Sequence, residues 1–377
     1  MSFKLDISKE PEAVKNLGTF TTVKPLKVVK PYLESYLVKN LIDAKAYNLV
    51  NRCEEEIRSF AKKVFGNKKG EVVLTSGSTE AILLALYYAR EENKNISSPN
   101  IIVGENAHSS FYRCAEFLRI KIKRARLNSE FGISAEDVAR KIDKNTILVV
   151  GTMGSTELGV IDDFSTLDKI CLEKRKKLHI DAAIGGFIIP FLKTNIKYKF
   201  NHLKSLWSVN ISGHKYGLSL PGCGLLLLRE KNLCEKYREI LTYTSSGHSL
   251  ISGLLVTRSS LGVLSLGLNI SYLDFQGYAI LAKDYLRIRK KLEDYLKEKE
   301  IDFLTGSDFI PQIFVCPHWI RHLSSYLWKN GWIQSVYQPA GLNKEGIRIV
   351  IKKGQEKFLL NHLISEIERF LRRTRKK

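Results

Sequence analysis

Short apolar runs alternate with stretches of helical periodicity between residues 70 and 230. The apolar runs predict buried strands, and the stretches between them, such as STEAILLALYYAREE at 78–92, predict helices. Unbroken apolar strands separated by helices indicate a mostly parallel sheet that is covered on both faces. The predicted strands, with the turns that follow them, are 71–77, 100–105, 122–127, 145–154, 178–183, 207–213 and 222–230, and the predicted helices are 78–92, 110–120, 135–142 and 164–177.

The pattern changes after about residue 270. A long charged helix is predicted at 278–300, and it leads into two apolar segments, IPQIFVCP and GIRIVIKKG, and a last helix, FLLNHLISEIERFLRR. This order predicts a compact α+β unit. The first 50 residues show little sheet signal and predict an arm with a short helix. We therefore expect three parts: an N-terminal arm at 1–50, a large domain at 51–270 and a small C-terminal domain at 271–377.

Composition places the chain among soluble globular proteins. Its 377 residues are ample for a buried core, and 44% of them are hydrophobic. No apolar run approaches the length of about 18 residues that a membrane-spanning helix needs, and the N-terminus MSFKLDISKEPE lacks a signal-peptide core. The six cysteines are scattered without a CxxC pair, which argues against a zinc module and against a secreted disulfide framework. We expect a cytoplasmic protein with no metal site and no membrane partner.

The charge balance is strongly basic. Lys and Arg number 60 against 39 for Asp and Glu, which gives a formal net charge of +21. Taken alone, this balance favours binding of nucleic acid or of an anionic membrane. Much of the excess, however, lies on predicted solvent-facing helices and in the tail at 371–377. Surface charge, with some help in attracting small anions, explains it better, and we expect no nucleic-acid partner.

Polar residues gather where the predicted strands end, and ligands of open α/β sheets bind beyond those ends. TSGSTEA (75–81) is a glycine turn that opens a helix, so its free N–H groups and the hydroxyls of Ser78 and Thr79 suit a phosphate. An ordinary helix N-cap is the alternative. Asp181 ends the apolar strand in LHIDAA, and a buried carboxylate there needs a positive partner unless it only caps a helix.

A lysine and a histidine complete this set. Lys215, in SVNISGHKYG, follows a predicted strand and suggests a Schiff-base nucleophile, although a solvated lysine is the common alternative in a lysine-rich chain. His108, in GENAHSS, also follows a strand, and it is either a stacking group or a hydrogen-bonded structural residue. A phosphate cradle, a buried carboxylate, a strand-end lysine and an imidazole are together what pyridoxal phosphate needs. We therefore expect pyridoxal 5'-phosphate as the cofactor.

Several motifs resemble those of the group II pyridoxal-phosphate decarboxylases. HIDAAIGGFIIPF (179–191) and SVNISGHKYGLSLPGCG (208–224) are similar to segments of this group, and the second closely resembles glutamate decarboxylase. TSGSTEA, ENAHSSF (105–111) and GTMGSTELG (151–159) are similar to the archaeal tyrosine/aspartate decarboxylases of the same group. The resemblance runs from about residue 11 to the C-terminus. It implies the fold-type I architecture, with a large, mostly parallel seven-stranded sheet domain and a small C-terminal α+β domain.

The resemblance assigns roles to individual residues. It implies that Lys215 binds the cofactor covalently, that Asp181 contacts the pyridinium nitrogen and that His108 stacks on the ring. Ala183 would pack on the opposite face of the ring, and Thr156 would approach the ring hydroxyl. The residues implied to bind the phosphate are Ser78, Thr79, Ser212 and His214, with Thr257 from the neighbouring subunit. A homodimer with shared active sites follows from that last assignment.

A substrate site is implied as well. Arg348, in GIRIVIKKG, matches the arginine that holds the substrate α-carboxylate, and an arginine in an apolar strand needs an anion unless it lies on an exposed face. NLGTF (16–20) and KNLID (39–43) resemble the glutamate decarboxylase segments that bind the distal carboxylate, unless they are only local caps. Because like charges repel, a carboxylate beside Asp43 requires a proton or a donor between the two acids. The matching residues are Thr19, Phe20, Asn40 and Asp43.

One segment departs from the family pattern. TYTSSGHSLISG (242–253) replaces the family's tyrosine- and glycine-bearing loop. Tyr243, Ser246 and His248 lie in this segment, and the residue that protonates the product at Cα is left unassigned.

The expected function is α-decarboxylation of L-glutamate to 4-aminobutyrate and carbon dioxide. Decarboxylation of aspartate or tyrosine keeps the same cofactor and is the first alternative. Carbon–carbon lyase chemistry resembling sphingosine-1-phosphate lyase, which shares the HK motif, is the second. A basic nucleic-acid-binding protein is the alternative of another class, and only the charge supports it. Binding of that kind falls steeply with salt.

Overall fold

Seven strands form one sheet in the computed structural model, which describes residues 12–22, 24–236, 238–244 and 247–374. They are β1 (Glu71–Thr75), β2 (Asn100–Gly104), β3 (Lys121–Ala125), β4 (Thr146–Thr152), β5 (Leu178–Asp181), β6 (Leu206–Ser212) and β7 (Gly224–Leu228). Their order across the sheet is β1-β7-β6-β5-β4-β2-β3. Of these strands, β7 is antiparallel to both its neighbours and the other pairs are parallel, which confirms the predicted mostly parallel sheet.

The reversed direction of β7 follows from the short link before it. A parallel connection needs a crossover of about a dozen residues or more, usually through a helix. Residues 213–223 separate β6 from β7 and form turns without a helix. The chain therefore folds back beside β6, and the turn places Lys215 at the carboxyl end of that strand.

Helices cover both faces of the sheet. Along β1, Val73 packs into the apolar layer on one face, whereas Val72 and Leu74 pack into the layer on the other, as the two-residue period of a strand requires. The edge strand β3 exposes Lys121 and Arg124, which discourages pairing with another chain. The helices up to this point of the chain are α1 (Leu33–Tyr36), α2 (Asn48–Val64), α3 (Ser78–Glu91), α4 (Ser109–Phe117), α5 (Ala135–Lys141), α6 (Phe164–Glu173) and α7 (Asn232–Lys236).

A two-stranded hairpin, β8 (Glu239–Thr244) and β9 (Gly247–Ile251), lies outside the large sheet. The hydrophobic pattern does not predict it, because most residues of β8 are exposed and carry no clear two-residue alternation.

A long helix, α8 (Leu261–Glu298), follows the hairpin. Its regular geometry breaks at Asp274, whose φ of 48° is left-handed. The Asp274 carboxylate accepts hydrogen bonds from the N–H groups of Gln276 and Gly277, so this residue caps the second half of the helix. The predicted helix at 278–300 is thus the second half of a longer element, and the predicted domain boundary at 270 stays a prediction. Among the described helices, none has the length and apolar character to cross a membrane.

Four short strands form a second, antiparallel sheet in the C-terminal part, in the order β10-β11-β13-β12 once the strands are numbered along the chain. This agrees with the α+β unit predicted there. The strands are β10 (Phe303–Leu304), β11 (Gln312–Val315), β12 (Val336–Tyr337) and β13 (Gly346–Val350), and the helices are α9 (Ile320–Lys329), α10 (Glu356–Phe358) and α11 (Ile364–Thr374).

The N-terminal arm docks on this second sheet through its main chain. The N–H of Leu17 donates to the carbonyl of Ile333 at 2.9 Å, and the N–H of Val350 donates to the carbonyl of Leu17 at 2.8 Å. The ammonium of Lys352 donates to the carbonyls of Asn16 and Thr19 at 3.1 and 2.7 Å. Residues 16–20 are therefore held beside β13.

Candidate active site

A cavity of about 310 Å³ opens at the carboxyl ends of the parallel strands. Because these strands end at one edge of the sheet, the loops after them meet there, which is where open α/β sheets bind ligands. The volume lies in the range of small-molecule sites. Most of the residues predicted to bind the cofactor line this cavity. They are Ser78, Thr79, His108, Thr156, Asp181, Ala183, Ser212, His214 and Lys215.

The N-terminus of α3 forms one wall of the cavity. The helix begins at Ser78, so the N–H groups of its first turn have no partner within the helix. Ser212 Oγ donates to Ser78 Oγ at 2.9 Å and fastens the end of β6 to this turn. A Cβ at Gly224 would lie 2.5 Å from the Cα of Gly77, so glycine is needed for β7 to approach the turn. Free N–H groups and hydroxyls at a helix N-terminus make an anion site.

The Asp181 carboxylate lies at the end of β5 and is buried. Its Oδ1 accepts hydrogen bonds from the N–H of Ala183 at 3.0 Å and from Nδ2 of Asn210 at 2.7 Å. These two donors fix the orientation of the carboxylate through Oδ1 and leave Oδ2 for a positive partner in the cavity.

Lys215 lies in the turn after β6 and lines the same cavity as the N-terminus of α3. Burial lowers the pKa of Lys215 to about 8, the Asp181 carboxylate opposes this shift, and the Arg348 guanidinium adds to it. Its Nζ lies 5.3 Å from the centroid of the Phe20 ring, which brings the arm to the cavity. A lysine with a lowered pKa has a larger neutral fraction near pH 7, and the neutral amine is the nucleophile.

His108 is the N-cap of α4 and also lines the cavity, and only its Nδ1 takes part in the cap. Its Nδ1 accepts a hydrogen bond from the N–H of Ser110 at 3.2 Å and lies 2.8 Å from Ser110 Oγ. An accepting Nδ1 places the proton of the neutral ring on Nε2. Burial lowers the pKa of His108, so the ring is neutral near pH 7 and suits stacking more than ion pairing.

Arg348 lies on β13 and does not line the cavity itself, but it contacts Thr156, which does. Its Nη1 donates to the carbonyl of Thr156, and its Nη2 donates to the carbonyl of Gly18 at 2.6 Å. The guanidinium carbon lies 5.0 Å from the centroid of the Phe20 ring. Its Nε is buried and has no hydrogen-bond partner among the described residues. Arg348 is therefore half-buried next to the arm rather than on an exposed strand face.

Within one chain, the remaining predicted residues do not line the cavity. Thr19 and Phe20 lie in the docked arm, next to the Lys352 ammonium and the Lys215 ammonium respectively. Asn40 lies elsewhere, in a β-bridge with Ser259, and Thr257 is exposed in the same region. Asp43 belongs to the 3₁₀ segment that follows Asn40. Their roles stay predictions.

In the segment that departs from the family pattern, Tyr243 is 73% exposed and His248 is also exposed. Neither lines the cavity of its own chain. Ser246 lies outside the described residues. The residue that protonates the product is therefore not identified within one chain.

Sequence reasoning missed several polar residues in or near the cavity, among them Ser110, Asn210, His179 and Ser208. The last three are fully buried in β5 and β6. A signal for them exists, because HID and SVN place polar residues two positions apart inside strands that are otherwise apolar. Buried polar groups of this kind are normally hydrogen-bonded, and their partners decide their role.

The donor set of the cavity fits pyridoxal phosphate. The buried Nδ1 of His214 has no hydrogen-bond partner among the described residues, and the His214 ring lies against the Gly77 turn, where an anion would supply one. The N–H groups of α3, the Asp181 carboxylate and the Lys215 amine line the same cavity. Phosphate, ring nitrogen and aldehyde of this cofactor thus each have a complementary group in the lining.

Residues 47–252, more than half of the chain, match the family model described as the pyridoxal-dependent decarboxylase conserved domain. The matched range contains β1 to β9 and every residue that lines the cavity.

Individual proteins resemble almost the whole chain. The L-aspartate decarboxylase of Thermococcus kodakarensis is 29% identical and is matched over 95% of this chain and 92% of its own length. The L-aspartate/L-glutamate decarboxylase of Pyrococcus horikoshii is 26% identical over the same shares. Among solved structures, glutamate decarboxylase of Lactobacillus brevis superposes with a TM-score of 0.89 at 22% identity, covering 97% of this chain and 90% of that one. This last likeness concerns the fold, which is that of the fold-type I pyridoxal-phosphate enzymes.

Proposed function

Because the chain belongs to the pyridoxal-dependent decarboxylase family, we propose that it removes the α-carboxyl group of an acidic L-amino acid as carbon dioxide. The enzyme class, a pyridoxal-phosphate-dependent amino-acid decarboxylase, follows from the family. The acidic substrate is the proposal. L-Glutamate is the choice that the arm motifs predict, and L-aspartate is the second candidate because several archaeal relatives carry that substrate in their names.

One observation supports an acidic substrate above all: Lys352, which is buried, and Arg348, which is half-buried, lie at the arm and have no acidic partner in the part of the chain that the structure describes. Arg348 and Lys352 each donate to two backbone carbonyls, and neither forms an ion pair with a carboxylate of the described residues. Burial, reinforced by the Arg348 cation, lowers the pKa of Lys352 to about 7. Buried cations are normally paired, so this corner favours a ligand that brings an extra negative charge.

The bound cofactor supplies an electron-withdrawing ring that accepts the electron pair left when carbon dioxide departs. The protein contributes charge and orientation around it. Lys215 would hold the cofactor through its neutral amine, which is the nucleophilic form of the side chain. Asp181 would face the ring nitrogen with its carboxylate, and the first turn of α3 would hold the phosphate. Arg348, with a free Nε, orients the α-carboxylate beside the cavity.

A substrate panel tests this proposal. Purified protein with added pyridoxal phosphate is expected to release carbon dioxide from glutamate or aspartate with a kcat/KM at least about tenfold above that for tyrosine or arginine, the size of one modest charge interaction. Lys352→Met is expected to lower the acidic-to-neutral preference by about tenfold, because it removes a cation beside the arm. Lys353→Met is the matched control, since Lys353 pairs with Glu356. A preference for tyrosine, or equal effects of both variants, would contradict the proposal.

We also propose that two copies of the chain form the working enzyme. Leu37 and Val38 are 62% and 93% exposed, and Leu254 and Leu255 are 56% and 43% exposed. The two segments lie together, because the N–H of Leu41 donates to the carbonyl of Arg258 and Asn40 pairs with Ser259. This apolar surface, called here the 37/254 surface, includes the region of Thr257, which the family resemblance places at a neighbouring active site.

A charge on the 37/254 surface is expected to break the dimer. Val38→Glu should shift the protein from dimer to monomer in sedimentation velocity and lower activity by at least about tenfold, because a charge buried in an apolar interface is costly. Folding of one chain should be unaffected, since Val38 is 93% exposed there. Phe117→Glu on α4, where the side chain is 82% exposed, is the matched control. A wild-type monomer with full activity would refute the proposal.

A further inference from the structure

Four polar side chains form a hydrogen-bonded chain inside the large sheet. Asn210 Nδ2 lies 2.7 Å from Asp181 Oδ1, and His179 Nε2 lies 2.7 Å from Asn210 Oδ1. Ser208 Oγ lies 2.6 Å from His179 Nδ1 and ends the chain. The exposed fraction is 5% for Asp181 and 0% for the other three residues. We call Asn210, His179 and Ser208 the buried relay.

Strand register creates the buried relay. The parallel pairing of β5 with β6 sets His179 opposite Ser208 and Asp181 opposite Asn210. Residues two apart on a strand share a face, so all four side chains point to the same side of the sheet. There the Phe111 ring of α4 packs edge-on against the His179 ring at 5.9 Å. A buried polar group left without a partner destabilises the fold, so the relay persists only as a complete set.

The donors and acceptors of the relay have a definite order. Asp181 Oδ1 also accepts the N–H of Ala183, so it acts as an acceptor and Asn210 presents its NH₂ group to it. The Asn210 carbonyl oxygen then faces His179 and requires a proton on Nε2. Nδ1 of the neutral ring therefore accepts the hydroxyl proton of Ser208. The opposite order requires a proton on Asp181 and rotation of a fully buried amide.

We propose that Asn210, His179 and Ser208 are positioning residues that orient the Asp181 carboxylate toward the ring nitrogen of the bound cofactor, so that this nitrogen stays protonated. The inference rests on the cofactor chemistry under "Proposed function", and it adds three residues that do not line the cavity. A hydrogen bond to the charged form of an acid favours that form, and a relay locked at its far end holds the donor in place.

The surroundings of Asp181 agree with this role. The titratable or charged groups that act on it are His179 on its own strand, His108 at the start of α4 and Lys215 after β6. Burial lowers the pKa of His179 to about 4, so the ring stays neutral near pH 7 and can accept from Ser208. His108 is also neutral there, which leaves Lys215 as the cation that supports the Asp181 carboxylate from inside the cavity.

Nitrogen NMR of the holoenzyme tests the proposal. With ¹⁵N-labelled pyridoxal phosphate, the wild type should show the chemical shift of a protonated ring nitrogen at pH 7. His179→Leu and Ser208→Ala should move it toward the neutral value, and His179→Gln, which can still donate to Asn210, should restore it in part. The kcat of His179→Leu should fall about 10- to 100-fold with little change in KM, the range seen when residues that orient a functional ligand are removed.

Ser205→Ala is the matched control, because Ser205 is a buried serine that donates to Asp168 just before β6 starts. It should leave the ring-nitrogen shift unchanged. If His179→Leu does not fold, Ser208→Ala, which removes one hydroxyl, carries the same test. Unchanged ring-nitrogen shifts in the folded relay variants would overturn the proposal. Altered shifts in a protein that releases no carbon dioxide from acidic amino acids would support the relay and contradict the proposed substrate instead.

Discussion

Lys215→Ala is expected to lose covalent attachment of pyridoxal phosphate and to lose decarboxylase activity by about 10⁴- to 10⁶-fold, the range for removing the nucleophile of a covalent catalyst. In the wild type, borohydride reduction followed by peptide mass spectrometry should place the cofactor mass on the peptide that contains Lys215. Apoprotein should capture the cofactor faster as pH rises through about 8, since burial lowers the pKa of Lys215 to that value and capture needs the neutral amine.

Lys204→Ala is the control for this variant, because Lys204 is an exposed lysine just before the other end of β6. It should retain the labelled peptide and the activity. Labelling of a different lysine in the wild type, or a capture rate that keeps rising to the ordinary lysine pKa of about 10.4, would refute the assignment of Lys215 or of its environment.

Asp181→Asn is expected to separate cofactor binding from catalysis. The amide keeps the size of the side chain but cannot stabilise a proton on the ring nitrogen, so kcat should fall by at least about 10³-fold, or roughly 4 kcal/mol of transition-state stabilisation. Lys215 should still attach the cofactor, and borohydride labelling of its peptide should therefore persist. Steady-state kinetics and labelling on the same preparation measure both effects.

Asp163→Asn is the matched control for that change. Asp163 is an exposed N-cap of α6, where Asn caps as well as Asp, so neither activity nor labelling should change. Activity of Asp181→Asn within about tenfold of the wild type would show that a buried carboxylate at the end of β5 is not needed for catalysis.

The large sheet could be predicted from the sequence because its strands are buried on both faces and appear as unbroken apolar runs. The cavity residues could be predicted for a related reason: polar residues such as Asp181 and Lys215 stand out at the ends of those runs, and parallel strands bring their carboxyl ends together. The first half of α8 was not predicted, and the hairpin β8–β9 is mostly polar and exposed, so neither gave a clear periodic signal.

Hydrogen-bond partners that are set by strand register could not be predicted from the hydrophobic pattern. The pattern shows His179 and Asn210 as polar residues inside strands, but only the pairing of β5 with β6 brings them together. The contacts of Arg348 are of the same kind. Its guanidinium meets backbone carbonyls of Thr156 and Gly18, which any residue type would provide, so no side-chain pattern reports them.

The docking of the arm has a consequence for which of its positions can change. The C-terminal sheet grips the arm by its main chain, at the carbonyls of Asn16, Gly18 and Thr19 and at both polar backbone groups of Leu17. Gly18 has no side chain and that of Thr19 takes no part in these main-chain contacts, whereas the Phe20 ring is buried and packs edge-on against Tyr216. Positions 18 and 19 can therefore vary while the buried Leu17 and Phe20 keep the segment in place beside the catalytic centre.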